Sequence, residues 1–162
     1  MKEKIVLYFS KNNTTAETVE KIKNKVDENT QIVDLAKSKK IDFRDVKTVY
    51  IGTGIYMGSI PGKVKKYIKA NAKSLNGKEI VFFVHGIISK DIYKDIVNKV
   101  VDGILEKSKI KIYYLGGKLD ITKQNFIIRK LLIEVAKQNN FDPYNANTID
   151  NEKINELLKN FD

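Results

Sequence analysis

Two short segments carry residue types that bind anions and flat ligands. Ser10-Lys11-Asn12-Asn13-Thr14-Thr15 places three hydroxyls and two amides between an apolar run and a helical pattern. At a helix start the first N–H groups lack intrahelical partners and the dipole is positive, so a phosphate meets donors there, and hydroxyls add more without adding charge. A plainer role is open to the same residues, because Thr14 and Glu17 stand at capping-box spacing. In the second segment, Gly52-Thr53-Gly54-Ile55-Tyr56-Met57-Gly58-Ser59-Ile60-Pro61, three glycines in seven residues allow close backbone approach to a flat ligand. Tyr56 and Met57 offer an aromatic and a polarizable face to stack on it. The plainer alternative is a tight turn with one core aromatic. His85 is the one histidine of the chain. With an unperturbed pKa of about 6.5, an imidazole suits hydrogen bonding to a ligand or proton shuttling. It also suits simple satisfaction at a strand end, and no partner carboxylate stands near it in the sequence.

These segments need elements to hold them. Lys4–Phe9, Gln31–Leu35, Lys47–Ile51, Glu79–Val84 and Lys109–Leu115 are short, apolar, β-branched or aromatic runs bounded by Gly, Asn, Asp or Lys, and read as five strands. Between them apolar residues recur at helical spacing. Thr15, Val19, Ile22 and Val26 form one stripe, Val64, Tyr67, Ile68 and Ala72 a second after Pro61, and Ile92 to Leu105 a third. Helices over 122–138 and 151–160 close the chain. Strands alternating with helices predict a doubly wound α/β fold, a five-stranded parallel sheet covered on both faces, in a single domain over 1–162. Ligands of such sheets bind beyond the C-terminal strand ends, where both candidate segments and His85 fall.

Composition narrows the chemistry. The chain has 162 residues, 42% hydrophobic and 31% charged, with 9 Gly and 2 Pro, which is globular composition. With no Cys and one His, disulfide frameworks, thiolate catalysis and ordinary zinc sites are excluded, so redox work needs a bound cofactor. No apolar run exceeds the five residues Ile80–Val84, and MKEKIVLYFS holds neither a long apolar region nor a small-residue cleavage site, so a cytoplasmic location is expected. Net charge is +10, and 28 of the 30 basic residues are Lys, which suits diffuse attraction to anions more than bidentate phosphate reading.

Phe9-Ser10-Lys11-Asn12-Asn13-Thr14-Thr15 resembles the phosphate loop of the flavodoxin family, Ser/Thr-x-Thr-Gly-x-Thr, in length and in position after the first strand. Gly52 to Gly58 is similar to that family's second loop, which packs beside the flavin ring. Asn12 stands where the family has Thr and Asn13 where it has Gly, and Asn tolerates the left-handed conformation that Gly supplies. The resemblance implies strand order 2-1-3-4-5 and FMN as cofactor. It further implies FMN contacts from Ser10, Lys11, Asn12, Asn13, Thr14, Thr15, Thr53, Gly54, Ile55, Tyr56, Met57, Gly58, His85, Gly86 and Ile87. Within the family, Phe82-Phe83-Val84-His85-Gly86 and Leu115-Gly116-Gly117-Lys118-Leu119, followed by an aromatic and basic helix, look most like menaquinone-dependent protoporphyrinogen oxidases. That implies a reduced porphyrin as electron donor and a quinone as acceptor. The same scaffold also serves soluble electron carriers, although those are usually acidic.

In the helix over 122–138, Ile127, Ile128, Leu131, Leu132 and Val135 are expected to face the core, leaving Phe126 and Ile133 outside with Lys130 and Lys137. Such an apolar and basic outer face suits peripheral contact with the inner face of an anionic membrane, or a partner subunit. Lys118, Arg129 and Lys130 are available to attract propionates or to remain solvated. A cofactor-free binding module of the same topology is the alternative of a different class. A phosphoacceptor receiver needs acidic residues where Phe9 and Ser10 stand, and the basic helix with Lys63, Lys65, Lys66, Lys69 and Lys73 lacks a specific nucleic-acid motif, so only salt-sensitive, non-specific binding is expected of it.

Overall fold

The computed structural model describes residues 3–37, 40–87 and 91–162. Strands β1 (Lys4–Phe9), β2 (Thr30–Asp34), β3 (Thr48–Gly54), β4 (Glu79–His85) and β5 (Ile110–Tyr114) form one parallel sheet in the order β2-β1-β3-β4-β5. The register brings Phe9 beside Thr53 and Gly54 beside His85, so the segments after β1, β3 and β4 emerge together at the C-terminal edge. Order reverses between β1 and β3, the switch point where such sheets bind ligands.

Period-two alternation sorts the strand side chains between two cores. On one face Ile5, Leu7, Val49, Ile51 and Phe82 pack against Val64 and Ile68 of α2 (Gly62–Ala70) and Val97 and Val101 of α4 (Tyr93–Val101). On the other, Val6, Tyr50, Val81 and Phe83 pack against Val19 and Ile22 of α1 (Thr14–Lys23) and Ile154 and Leu157 of α6 (Asn151–Leu158). The short α3 (Ala72–Leu75) follows α2 and buries Leu75 in the first core. Pro61 takes the N-cap of α2 with φ −53 and ψ 139, a position where its missing N–H leaves no bond unmade. The strand readings hold to within a few residues. β3 runs past the expected Ile51 to Gly54, carrying Thr53 and Gly54 into the sheet.

The segment after β5 departs further from expectation. Residues 118–147 leave the sheet and return through a small antiparallel pair, β6 (Lys118–Leu119) with β7 (Ala146–Asn147), and carry α5 (Phe126–Asn139) between them. The expected core-facing stripe of this helix is corrected. Ile127 is 77% and Leu131 42% exposed, alongside Phe126 at 69%, and α5 supplies no residue to either core. The helix rests on the surface by its other side, where Ala136 is buried and Ile128, Leu132 and Ile133 are half-buried. Periodicity locates the helix, but an apolar-rich stretch offers two stripes, and which one is covered depends on the β6–β7 stem that orients it.

Candidate functional site

The loop after β1 turns on Asn13, whose φ of 62 is left-handed. A short polar side chain is the commonest non-glycine choice for that conformation, so Asn13 supplies the turn that glycine would otherwise make. Asn13 is also the N-cap of α1 and makes no side-chain capping bond. Thr14 is therefore the first helical residue, and the Glu17 carboxylate is drawn away to Lys118 Nζ at 2.6 and 2.8 Å. The capping box read from Thr14 and Glu17 does not form.

The helix start is built otherwise. Ser10 Oγ accepts the Ala16 N–H at 3.2 Å, and the Glu17 N–H donates to the Asn13 carbonyl at 2.9 Å. Among the described residues no protein acceptor meets the N–H groups of Asn13 and Thr15. Thr14, Thr15 and Thr18 are buried on the inward side of the helix, whereas Lys11, Asn12 and Asn13 are exposed. The loop thus offers N–H donors, a hydroxyl and the positive end of a helix, with no acidic side chain among its six residues, and that donor set fits a phosphate.

The second loop is a tight hairpin turn. Tyr56 and Ser59 exchange two backbone hydrogen bonds at 2.9 and 3.0 Å, with Met57 at φ 49 and Gly58 at φ 71 between them. Two successive positive φ values define a type I′ turn, which explains Gly58. The other two glycines make room for protein side chains. A Cβ on Gly52 would lie 2.2 Å from the Phe83 ring, and one on Gly54 would lie 2.6 Å from the Tyr56 ring. Tyr56 therefore folds back over Gly54, and its hydroxyl accepts the Lys11 N–H at 3.1 Å, joining the two loops. Met57 stands at the tip, 66% exposed. Thr53 is buried with its hydroxyl donating to the Gly54 carbonyl at 3.1 Å, and Ile55 is buried with its N–H bonded to the His85 carbonyl at 2.7 Å.

His85 ends β4 with its ring turned inward, 2% exposed. Nδ1 lies 2.8 Å from the Gly116 carbonyl and Nε2 2.9 Å from Thr18 Oγ1. A carbonyl can only accept, so Nδ1 carries the proton and Nε2 accepts from the Thr18 hydroxyl. Burial depresses the imidazole from 6.5 to about 4, against the opposing pull of the Gly116 bond, so the ring is neutral at physiological pH. It thereby ties the helix of the first loop to the corner after β5. Of this strand end, the half-buried Gly86 and Ile87 remain available at the surface. Gly86 packs on Gly117, where an added Cβ would lie 2.8 Å from the Gly86 backbone, so the stem of the 118–147 excursion stands beside the loop after β4.

The three basic candidates are differently committed. Lys118 pairs with Glu17, Arg129 donates to the Thr122 and Gln124 carbonyls at 3.0 and 3.2 Å, and Lys130 lies over the Phe126 ring at 5.2 Å on the outer face of α5. Gly116 and Gly117 belong to the Leu115–Leu119 segment that the sequence singles out, whereas Thr18 is not legible there as part of the site. Thr18 left one trace, being a polar residue four positions after Thr14 and three after Thr15 on the buried stripe of α1.

Residues 5–143 match a family model described as a flavodoxin domain. Among solved structures the chain is similar to a flavoprotein from Lactobacillus acidophilus NCFM in complex with FMN, at 14% identity and a TM-score of 0.54, covering 72% of this chain and 93% of that one. It is also similar to a flavodoxin from the domain Archaea, at 15% identity and a TM-score of 0.53, covering 83% and 96%. A third likeness is to rubredoxin oxygen:oxidoreductase from Desulfovibrio gigas, at 11% identity and a TM-score of 0.52, where 99% of this chain covers 37% of the other. No curated protein matches the chain.

Proposed function

Because this chain belongs to the flavodoxin domain family, we propose that it binds FMN and works as an electron-transfer oxidoreductase. One observation carries the reading: a donor-rich, acid-free loop with a left-handed Asn13 at the start of α1, facing a glycine-rich hairpin across the switch point of the sheet. In this reading the phosphate takes the N–H groups of the loop from Lys11 to Thr15 and the Ser10 and Thr14 hydroxyls. The ring lies between the Ile55–Gly58 hairpin and the Gly86–Ile87 backbone. When bound, FMN supplies the exchange of one or two electrons that a chain without cysteine cannot perform alone. The protein's own residues bind and orient it. His85, neutral and enclosed, sets the positions of α1 and Gly116 and reaches the ligand only through its backbone neighbours.

The donor in this reading is a reduced porphyrin and the acceptor a membrane quinone. Support comes from the outer face of α5, where Phe126, Ile127 and Leu131 are exposed beside Lys130. The excursion that carries α5 leaves the sheet at Gly117, beside Gly86 at the ligand edge. An apolar face with lysines on a chain of net charge +10 is complementary to an anionic lipid surface. Among the described residues no helix is long and apolar enough to cross a membrane. The test begins with the visible absorption spectrum of the purified protein before and after adding FMN and desalting. Retained flavin bands support the cofactor assignment, and a colourless protein refutes it. Quinone-dependent oxidation of protoporphyrinogen by the FMN-loaded protein then tests the donor and acceptor, and reduction of FMN without porphyrin turnover refutes them.

A further inference from the structure

Tyr56 occupies the place where a phosphate oxygen is expected. Its hydroxyl accepts the Lys11 N–H at 3.1 Å. A backbone N–H of a loop that opens a helix is the kind of donor that binds anions. The Lys11 ammonium lies 5.6 Å from the centre of the Tyr56 ring, so the loop's one cationic side chain is also engaged. The ring is seated in the space left by Gly54, and the two bonds between Tyr56 and Ser59 fix the backbone from which it swings. Burial pushes the hydroxyl above its ordinary pKa, with hydrogen bonding from the loop backbone opposing, so the occupant is a neutral phenol that competes weakly against a dianion.

We infer that Tyr56 is an internal occupant of the phosphate loop and sets cofactor affinity by competition: the phosphate displaces its hydroxyl from the Lys11 N–H, and the displacement frees the aromatic ring of the hairpin to meet the flavin. This rests on the FMN reading and adds to it a residue that weakens binding while belonging to the site. It also separates the two glycines of the hairpin by role. Gly54 is the parking place of the ring in the closed arrangement, and Gly58 lets the turn form in either arrangement.

The test is Tyr56→Phe, which keeps the ring over Gly54 and removes the competing oxygen. The binding of FMN, riboflavin and inorganic phosphate is measured by titration on the purified wild type and variant. The loss of one neutral hydrogen bond from the closed arrangement tightens FMN and inorganic phosphate by about three- to tenfold, and riboflavin by less. In the ligand-free variant the Lys11 amide proton resonance moves upfield, a readout that needs no bound cofactor and reports on the contact in the folded protein. Equal or weaker FMN affinity in the variant overturns the competition and leaves FMN binding standing. Failure of both proteins to bind FMN and phosphate overturns the FMN reading and this inference with it.

Discussion

Lowering the pH from 7 to 4 should destabilise the fold through His85 in a way that one substitution can isolate. The imidazole sits at about 4 in the folded protein and at 6.5 when free of the fold. Between those values the unfolded chain holds a proton on His85 that the folded chain refuses. Stability therefore rises with pH across this window; the contribution is complete above 6.5 and lost below 4. At about 1.4 kcal/mol for each pH unit of displacement, the whole window is worth about 3 kcal/mol. The structural cause is enclosure: Gly116 takes the Nδ1 proton, Thr18 occupies Nε2, and no water-facing edge of the ring is left to hold a second proton. Urea denaturation of wild type and His85→Gln at intervals from pH 4 to 7 gives the comparison. Glutamine keeps a donor and an acceptor without a titration in this range. The variant should be less stable at pH 7 but shallower in its pH dependence by about 3 kcal/mol across the window. As the chain has one histidine, its imidazole signals in an NMR titration are unambiguous, with the midpoint expected near 4 and the Nδ1–H tautomer above it. A midpoint near 6.5, or parallel pH profiles for the two proteins, would refute the enclosed neutral ring.

Other consequences can be checked by substitution. Asn13→Ala should weaken FMN binding and lower stability by about 1 kcal/mol, because alanine resists φ 62, while Asn13→Gly should be neutral in stability; calorimetric melting and FMN titration read both. Ser10→Ala removes the acceptor for the Ala16 N–H and should cost about 1 kcal/mol, the ordinary loss for a helix-start acceptor, with weakened FMN binding alongside. Gly116→Ala sets a Cβ 1.7 Å from the Thr148 carbonyl oxygen at a residue with φ +67, so the melting temperature should fall by at least ~4 °C. Replacing Phe126 and Ile127 together by serine should leave the melting temperature unchanged, since both are exposed, and should abolish sedimentation with vesicles containing anionic lipid.

The sheet was legible because its strands announce themselves twice, by apolar β-branched runs and by the helical stripes between them. Ile5, Val6 and Leu7 must be buried on both faces, and no other arrangement covers them as simply. Asn13 was legible as a left-handed residue for the same local reason, its side chain being compatible with that backbone. Longer-range facts were not. That Glu17 would answer to Lys118, 101 residues away, and so abandon the capping box, is a property of where β6 lands. The direction of Tyr56 was likewise hidden: the sequence shows an aromatic among glycines, and only the packed hairpin shows that Gly54 receives the ring. Its place at a strand end offers His85 as a ligand contact, and the direction of its ring is set by Thr18 and Gly116, which no local pattern links to it. The outward stripe of α5 is hidden from the sequence because helical spacing gives relative faces and says nothing of which face finds a partner.

The proposed function depends on a phosphate held by the loop from Ser10 to Thr15, and the most direct test compares FMN with riboflavin by quenching of flavin fluorescence on the wild-type protein. The two ligands share the ring and differ in the phosphate. With at least two charge-assisted bonds from the loop, FMN should bind about 100-fold more tightly than riboflavin, and the advantage should shrink as inorganic phosphate is added. Equal affinities for the two flavins would contradict the phosphate loop, and the function proposed from it would fall.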